Sequence, residues 1–276
     1  MREITLEELL EAGCHFGHQV TRQNPKAREF VFEARDNIHI IDLAKTKQGL
    51  EEAAQFIRDL AMQEDSSLLL VGTKRQAQMI VEASVVKMKD AGFADGFFYV
   101  KNRWIGGLLT NFAEVAKNFE KLKDLAGKLD NPEEKAKYTK KEVGGWAKEK
   151  QKLESFYAGV VDMKKVPSAV FIVDSHLEDL AVRESRMMHV RAAAIVDTNA
   201  DPELIDYPIP ANDDAVGSLE LIVGYIMDAW VEGRKSRELK VKNEGEKVKK
   251  AEAKGLEVEK KKLVVKKEKS KKVKKS

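Results

Sequence analysis

Cysteine is almost absent: Cys14 is the single one in 276 residues. One thiol cannot build a disulfide framework, and its scarcity points to a reducing compartment. Long hydrophobic runs are missing as well. The longest candidate, Leu221 to Met227, falls far short of the ~20 residues of a membrane span. Met1-Arg2-Glu3 leads into an acidic amphipathic segment, not into the hydrophobic stretch of a signal peptide. The chain also lacks the usual cradles of chemistry. No Gly-x-Gly-x-x-Gly occurs, and Val71-Gly72-Thr73-Lys74-Arg75 lacks the first glycine of the Walker pattern. No Gly-x-Ser-x-Gly nucleophile elbow is present. These absences argue against an enzyme, a small-molecule substrate and a required cofactor, and for a cytoplasmic protein with no membrane partner.

The charge that is present is unevenly spread. The chain carries 49 basic and 46 acidic side chains, a net +3. Residues 240–276 hold 16 basic and 6 acidic groups, a net +10, which leaves −7 for residues 1–239. A basic tail on an acidic body raises the expectation of a polyanionic partner. From about Arg234 the composition is Lys, Glu and Val without aromatics, so residues 234–276 are expected to be a disordered tail.

Between these ends the pattern alternates. Thr5-Leu6-Glu7-Glu8 is a capping box, and Gly13 can end the helix it opens. Residues 13–29 read as polar and irregular. Phe30 to Ile41 reads as two strands around an Asp36-Asn37 turn, and Asp42 caps a helix to about Gln63. Ser67–Val71, Phe97–Val100, Ala169–Val173 and Ala192–Val196 are short apolar strands separated by helices, the last helix running from about Val216 to Trp230. Apolar strands alternating with helices predict βαβ units: an α/β, three-layer domain with a mainly parallel sheet.

Residues 108–164 break the alternation. Phe112, Val115, Phe119, Leu122, Ala126 and Leu129 follow heptad spacing, as do Val143, Trp146, Lys150, Leu153, Tyr157 and Val160. Asn131-Pro132 lies between the two runs. The expectation is an inserted antiparallel α-helical coiled-coil hairpin. Gly144-Gly145 sits badly in its second helix, at ~1 kcal/mol per glycine relative to alanine. The predicted organisation is residues 1–107 plus 165–233 as the α/β domain, 108–164 as the hairpin and 234–276 as the tail.

Three constellations could carry function. Arg22, Asn24, Lys26 and Arg28 surround Pro25; Lys74, Arg75 and Gln76 open a helix; Asn102, Arg103 and Trp104 precede Gly106-Gly107. Cations and amides at loop ends suit phosphates, and an aromatic can stack on an unpaired base or pack inside. His15 and His18, with Asp197 and Asp201, would suit zinc or magnesium if the fold gathers them. Asp174, Ser175 and His176 follow a strand, where a helix cap competes with an acid–base site.

These segments carry a family resemblance. His15-Phe16-Gly17-His18-Gln19, Asn24-Pro25-Lys26 and Ile38-His39-Ile40-Ile41-Asp42-Leu43 resemble the N-terminal signature of small-subunit ribosomal protein S-two. Val71 to Ala77, Arg103-Trp104-Ile105-Gly106-Gly107, Ala194 to Asn199 and Asp206 to Ala215 continue the series in order over roughly residues 5–233. The resemblance implies a flavodoxin-like domain with an inserted hairpin and no catalysis. It also implies binding to small-subunit ribosomal RNA and to other small-subunit ribosomal proteins, including protein S-one. Gln23 departs from the family's usual Trp before Asn-Pro, and Gly144-Gly145 from its better helix formers. A flavodoxin-like small-molecule or nucleotide-binding protein and a coiled-coil adaptor are the rival readings.

Overall fold

The computed structural model describes residues 2–242. The chain divides into two units, residues 1–233 and 234–276. In the second unit, residues 234–242 are helical, and the rest of the basic tail lies outside the described residues.

The first unit begins with α1 (Leu6–Glu11), opened by a complete capping box between Thr5 and Glu8. Gly13, at φ +76°, takes the left-handed conformation that ends it. A small antiparallel sheet follows, formed by β1 (Phe16–Gln19), β2 (Val31–Arg35) and β3 (Ile38–Ile41) in the order β1-β3-β2. Asp36 and Asn37 have φ of 50° and 61°. Two consecutive positive φ values are what a tight hairpin with right-twisted strands requires, and Asp and Asn tolerate them best after glycine. Asp42 then caps α2 (Leu43–Ala61) through the Ala44 N–H.

The main sheet comprises β4 (Leu68–Val71), β5 (Phe97–Val100), β6 (Ala169–Ile172), β7 (Arg191–Val196) and β8 (Tyr207–Pro210). Its spatial order is β5-β4-β6-β7-β8, and every pairing is parallel. Counting only these strands gives 2-1-3-4-5, the flavodoxin-like doubly wound order. The side-chain period of two divides β4 between two cores. Leu68 and Leu70 join α2, α3 (Arg75–Asp90) and the helix over 216–233, through Leu50, Ile57, Val81, Ile222 and Trp230. Leu69 and Val71 join the opposite core with Trp104, Phe119, Ala181 and Val182. Helices therefore cover both faces, as the predicted three layers require.

Two strands escaped the sequence reading. Residues 13–29 contain β1 as well as two 3-10 turns, because a four-residue strand with an internal glycine shows no alternation. β8 was hidden by Pro208 and Pro210. Proline cannot donate to a ladder and is tolerated at a sheet edge, which is where β8 lies.

Between β5 and β6 run α4 (Phe112–Asp130), α5 (Pro132–Ala136) and α6 (Lys140–Tyr157). Early α4 meets late α6 through Phe119 and Tyr157, with centroids 5.5 Å apart, and Lys121 pairs with Glu149 at 2.5 Å. The buried stripe of α4 is Val115, Phe119, Leu122 and Leu125, so the seam passes through Leu125 and not Ala126. In α6 only Tyr157 is fully buried. The helices leave β5 and return to it: Tyr99 N–H donates to Gly159 O at 3.1 Å. A Cβ on residue 159 would land on the Tyr99 carbonyl oxygen and ring. Gly159→Ala should therefore cost about 1–3 kcal/mol in urea unfolding. A change within experimental error would show that this contact yields freely.

Candidate nucleic-acid interface

In a doubly wound sheet the ligand crevice lies beyond the carboxyl ends of the strands, where the winding reverses. Here that point lies between β4 and β6. Gly72 follows β4, and a Cβ there would meet Val81 at 2.9 Å and Val173 at 3.1 Å. The chain must pass close to α3, which sets Lys74 over the crevice mouth. Lys74 Nζ lies 3.1 Å from Asp174, 2.8 Å from Asp213 and 2.7 Å from Asp214. Burial alone would lower its pKa, but hydrogen bonds to Asp213 and Asp214 outweigh this and raise it. Asp213 is 1% exposed. Burial and the neighbouring Asp174 and Asp197 charges push its carboxyl up to about 7, against the pull of Lys74.

A second cation completes the cluster. His18 Nδ1 lies 3.1 Å from Asp197 Oδ2, and His18 Nε2 lies 3.7 Å from Asp214. The hydrogen bond to Asp197 raises the His18 pKa. His18 reaches this point because its neighbour is glycine. A Cβ on residue 17 would meet Thr198 Cγ2 at 2.8 Å, while Thr198 accepts from the N–H groups of His18 and Asn24. The crevice is thus sealed by the chain's own ammonium and imidazole.

The proposed metal quartet does not assemble. Of His15, His18, Asp197 and Asp201, only His18 and Asp197 meet in an ion pair. Asp201 is turned to Lys26 at 2.9 Å, and the His15 ring packs on Phe16. The donors that do gather, within 4.8 Å of one another, are His18, Asp213 and Asp214. Lys74 shares both of those carboxylates. Asp213 and Asp214 follow the strand β8, which its prolines concealed, and His18 lies in β1.

The proposed RNA contacts fall into two groups. Arg22, Arg28, Arg75 and Arg103 are exposed, with Gln76 beside Arg75. Among the described residues, none of the four guanidiniums faces a carboxylate within ion-pair distance. Lys26 is exposed but pairs with Asp201 and Glu203, and Asn24 caps the turn that holds it. Asn102 donates to Ser155 O at 2.5 Å. Two of the candidates point inward: Lys74 pairs inside the cluster above, and Trp104, 7% exposed, takes the packed one of its two expected roles. Trp104 packs in the second core and donates from Nε1 to Glu184 at 3.1 Å.

Glu184 was missed by sequence reasoning, since a charge inside an amphipathic helix reads as solvated. It lies in α7 (Asp179–Met187) and is 4% exposed. Its carboxylate accepts from Trp104 Nε1, from Thr110 Oγ1 and from the backbone N–H groups of Gly107, Leu109 and Thr110, all at 2.8–3.2 Å. Burial raises its pKa, but these donors outweigh that and hold it below the ordinary carboxylate value. One anion therefore organises the whole loop that carries Arg103.

A ribosomal protein family model, described as "Ribosomal protein S2", matches residues 9–233. The chain belongs to this family. It is 42% identical over 243 residues to "Small ribosomal subunit protein uS2" of Fusobacterium nucleatum, covering 86% of this chain and 93% of that one. It is 44% identical over 247 residues to the same-named protein of Coprothermobacter proteolyticus, covering 89% and 88%. The Geotalea uraniireducens protein of that name is 42% identical over 246 residues, covering 89% and 93%. These relatives are structural proteins of the ribosome, not enzymes.

The family setting makes the Arg103 loop worth testing. Glu184→Ala strands several buried donors and should cost about 3–5 kcal/mol in denaturant unfolding. Because its folded pKa is lowered, Glu184 stabilises the fold above the ordinary glutamate pKa, and that contribution is lost as pH falls through the folded value. The alanine variant should lack this acid-sensitive component. A cost under about 1 kcal/mol would contradict the assignment.

Proposed function

We propose that this small-subunit ribosomal protein binds small-subunit ribosomal RNA through Arg22, Arg28, Arg75 and Arg103. The observation that carries the reading is their exposure without acidic partners among the described residues, in turns, a loop and the first turn of α3, while the crevice is occupied by the chain's own charges. Exposed guanidiniums at element ends and turns suit backbone phosphates, which give affinity without reading sequence. Gln76, Asn24, Lys26 and Asn102 are their neighbours in sequence. Lys74 and Trp104 serve this surface by holding its loops in place.

The acidic remainder of the body suits protein neighbours, among which the family resemblance includes protein S-one. The helices α4 and α6 fit an antiparallel coiled-coil hairpin projecting from the sheet, since the α4 stripe keeps its three-four spacing. A zinc or magnesium ion would have to draw on His18, Asp213 and Asp214, in competition with Lys74. No helix among the described residues is long and apolar enough to cross a membrane. The working location is the cytoplasmic small subunit. The small-molecule reading is disfavoured, because an ammonium occupies the place its ligand would take.

Salt dependence tests the reading. Each arginine changed to alanine should flatten the slope of log binding constant against log salt by roughly 0.7–0.9. The four-arginine variant should still fold. An unchanged slope in that variant would remove these residues from the RNA surface.

A further inference from the structure

Gly144 and Gly145 stand in the interior of α6, where each costs about 1 kcal/mol relative to alanine. No packing among the described residues needs them, for no heavy atom there lies within 4 Å of a Cβ built on either. Val143, Trp146, Lys150 and Leu153 form the half-buried face of α6. The opposite face is Lys141, Gly144, Gly145, Lys148 and Lys152, all exposed. Spacings of three and four put these on one stripe. The stripe is bare backbone with lysines above and below it.

The charge there is an excess of lysine, with Asp130 and Glu133 as the exposed carboxylates not engaged in an ion pair among the described residues. Glu142 is spent on the capping box with Thr139, Glu134 on Lys137 and Glu149 on Lys121. Lys135, Lys140, Lys141 and Lys148 are exposed and have no ion pair among the described residues. Beside the glycines an aromatic pair sits at the end of the helices: Tyr138 meets Trp146 edge-on at 4.6 Å, and Lys128 Nζ lies 5.9 Å from the Trp146 centroid. Tyr138 is 43% exposed.

From this we infer that the far end of the α4–α6 pair is a second RNA-docking surface, for an unpaired segment of small-subunit RNA. The lysines take phosphates, the sugar–phosphate backbone runs over the bare Gly144–Gly145 stripe, and an unpaired base stacks on Tyr138. Lysine clusters beside an exposed aromatic are the usual means of holding single-stranded nucleic acid. An acidic protein segment would match the lysines, but would gain less from an open aromatic plane. The inference rests on the RNA-binding reading above and adds a site remote in sequence from all four arginines.

The test exploits opposite signs. In the full-length chain, Gly144→Gln with Gly145→Gln should leave stability unchanged or raised, since glutamine favours a helix. The same variant should bind transcribed small-subunit RNA about tenfold more weakly, the close backbone approach being blocked. Lys141→Gln with Lys148→Gln should flatten the salt slope by roughly 1.4–1.8. Tyr138→Leu, which keeps an apolar side chain, should weaken binding without changing that slope. Unchanged RNA affinity in the glutamine variant would overturn the inference. So would unchanged affinity with reduced incorporation into particles, which would assign the surface to a protein neighbour. The wild type and the four-arginine variant run alongside. If the wild type shows no salt-dependent binding, the RNA-binding reading itself falls. If only the tip variants behave like wild type, this inference alone falls.

Discussion

The ammonium of Lys74 ties together segments that are far apart in the chain. Within 3.1 Å it meets carboxylates from the loop after β6 and from the loop after β8. His18 brings in the N-terminal sheet through Asp214 and Asp197. Four carboxylates share two cations, so the cluster is under-compensated, and Asp213 shows it by holding its proton up to about 7. A doubly wound fold ordinarily keeps this crevice open for a ligand. Here the fold's binding site has become a structural joint.

Closing the crevice moves function to the rim. Lys74 and Glu184 are consumed inside, while Arg75 and Arg103 beside them face outward without an acidic partner among the described residues. The same logic separates the two charges beside Trp104. Glu184 is buried and gathers donors, while Arg103 next door is exposed. Buried ionic groups are weak sources of net stability, but losing one partner leaves an uncompensated charge. The cluster thus specifies one arrangement of loops more than it strengthens the fold.

Much of this architecture could be read from residue order. The capping boxes at Thr5 and Thr139, the Asp36-Asn37 turn and the apolar strands β4 to β7 have local causes, and each formed where its cause lies. β8 failed because two prolines mask a strand that only its edge position permits. Site residues were harder. Their types were visible, but Lys74 and Arg75 look alike in sequence, and only tertiary packing turns one inward and leaves the other free. Glu184 gave no signal, since its partners lie 74–80 residues away. The +10 of the tail, conspicuous in composition, lies almost wholly outside the described residues.

The central claim is that Lys74 is an internal counter-charge and Arg75 an external one. Equilibrium urea unfolding of Lys74→Met against Arg75→Met tests it most directly. The account predicts a loss of about 3–5 kcal/mol for Lys74→Met, which leaves the buried carboxylates of Asp174 and Asp213 without their ammonium, and under about 0.5 kcal/mol for Arg75→Met. Equal, small losses for the two variants would contradict it.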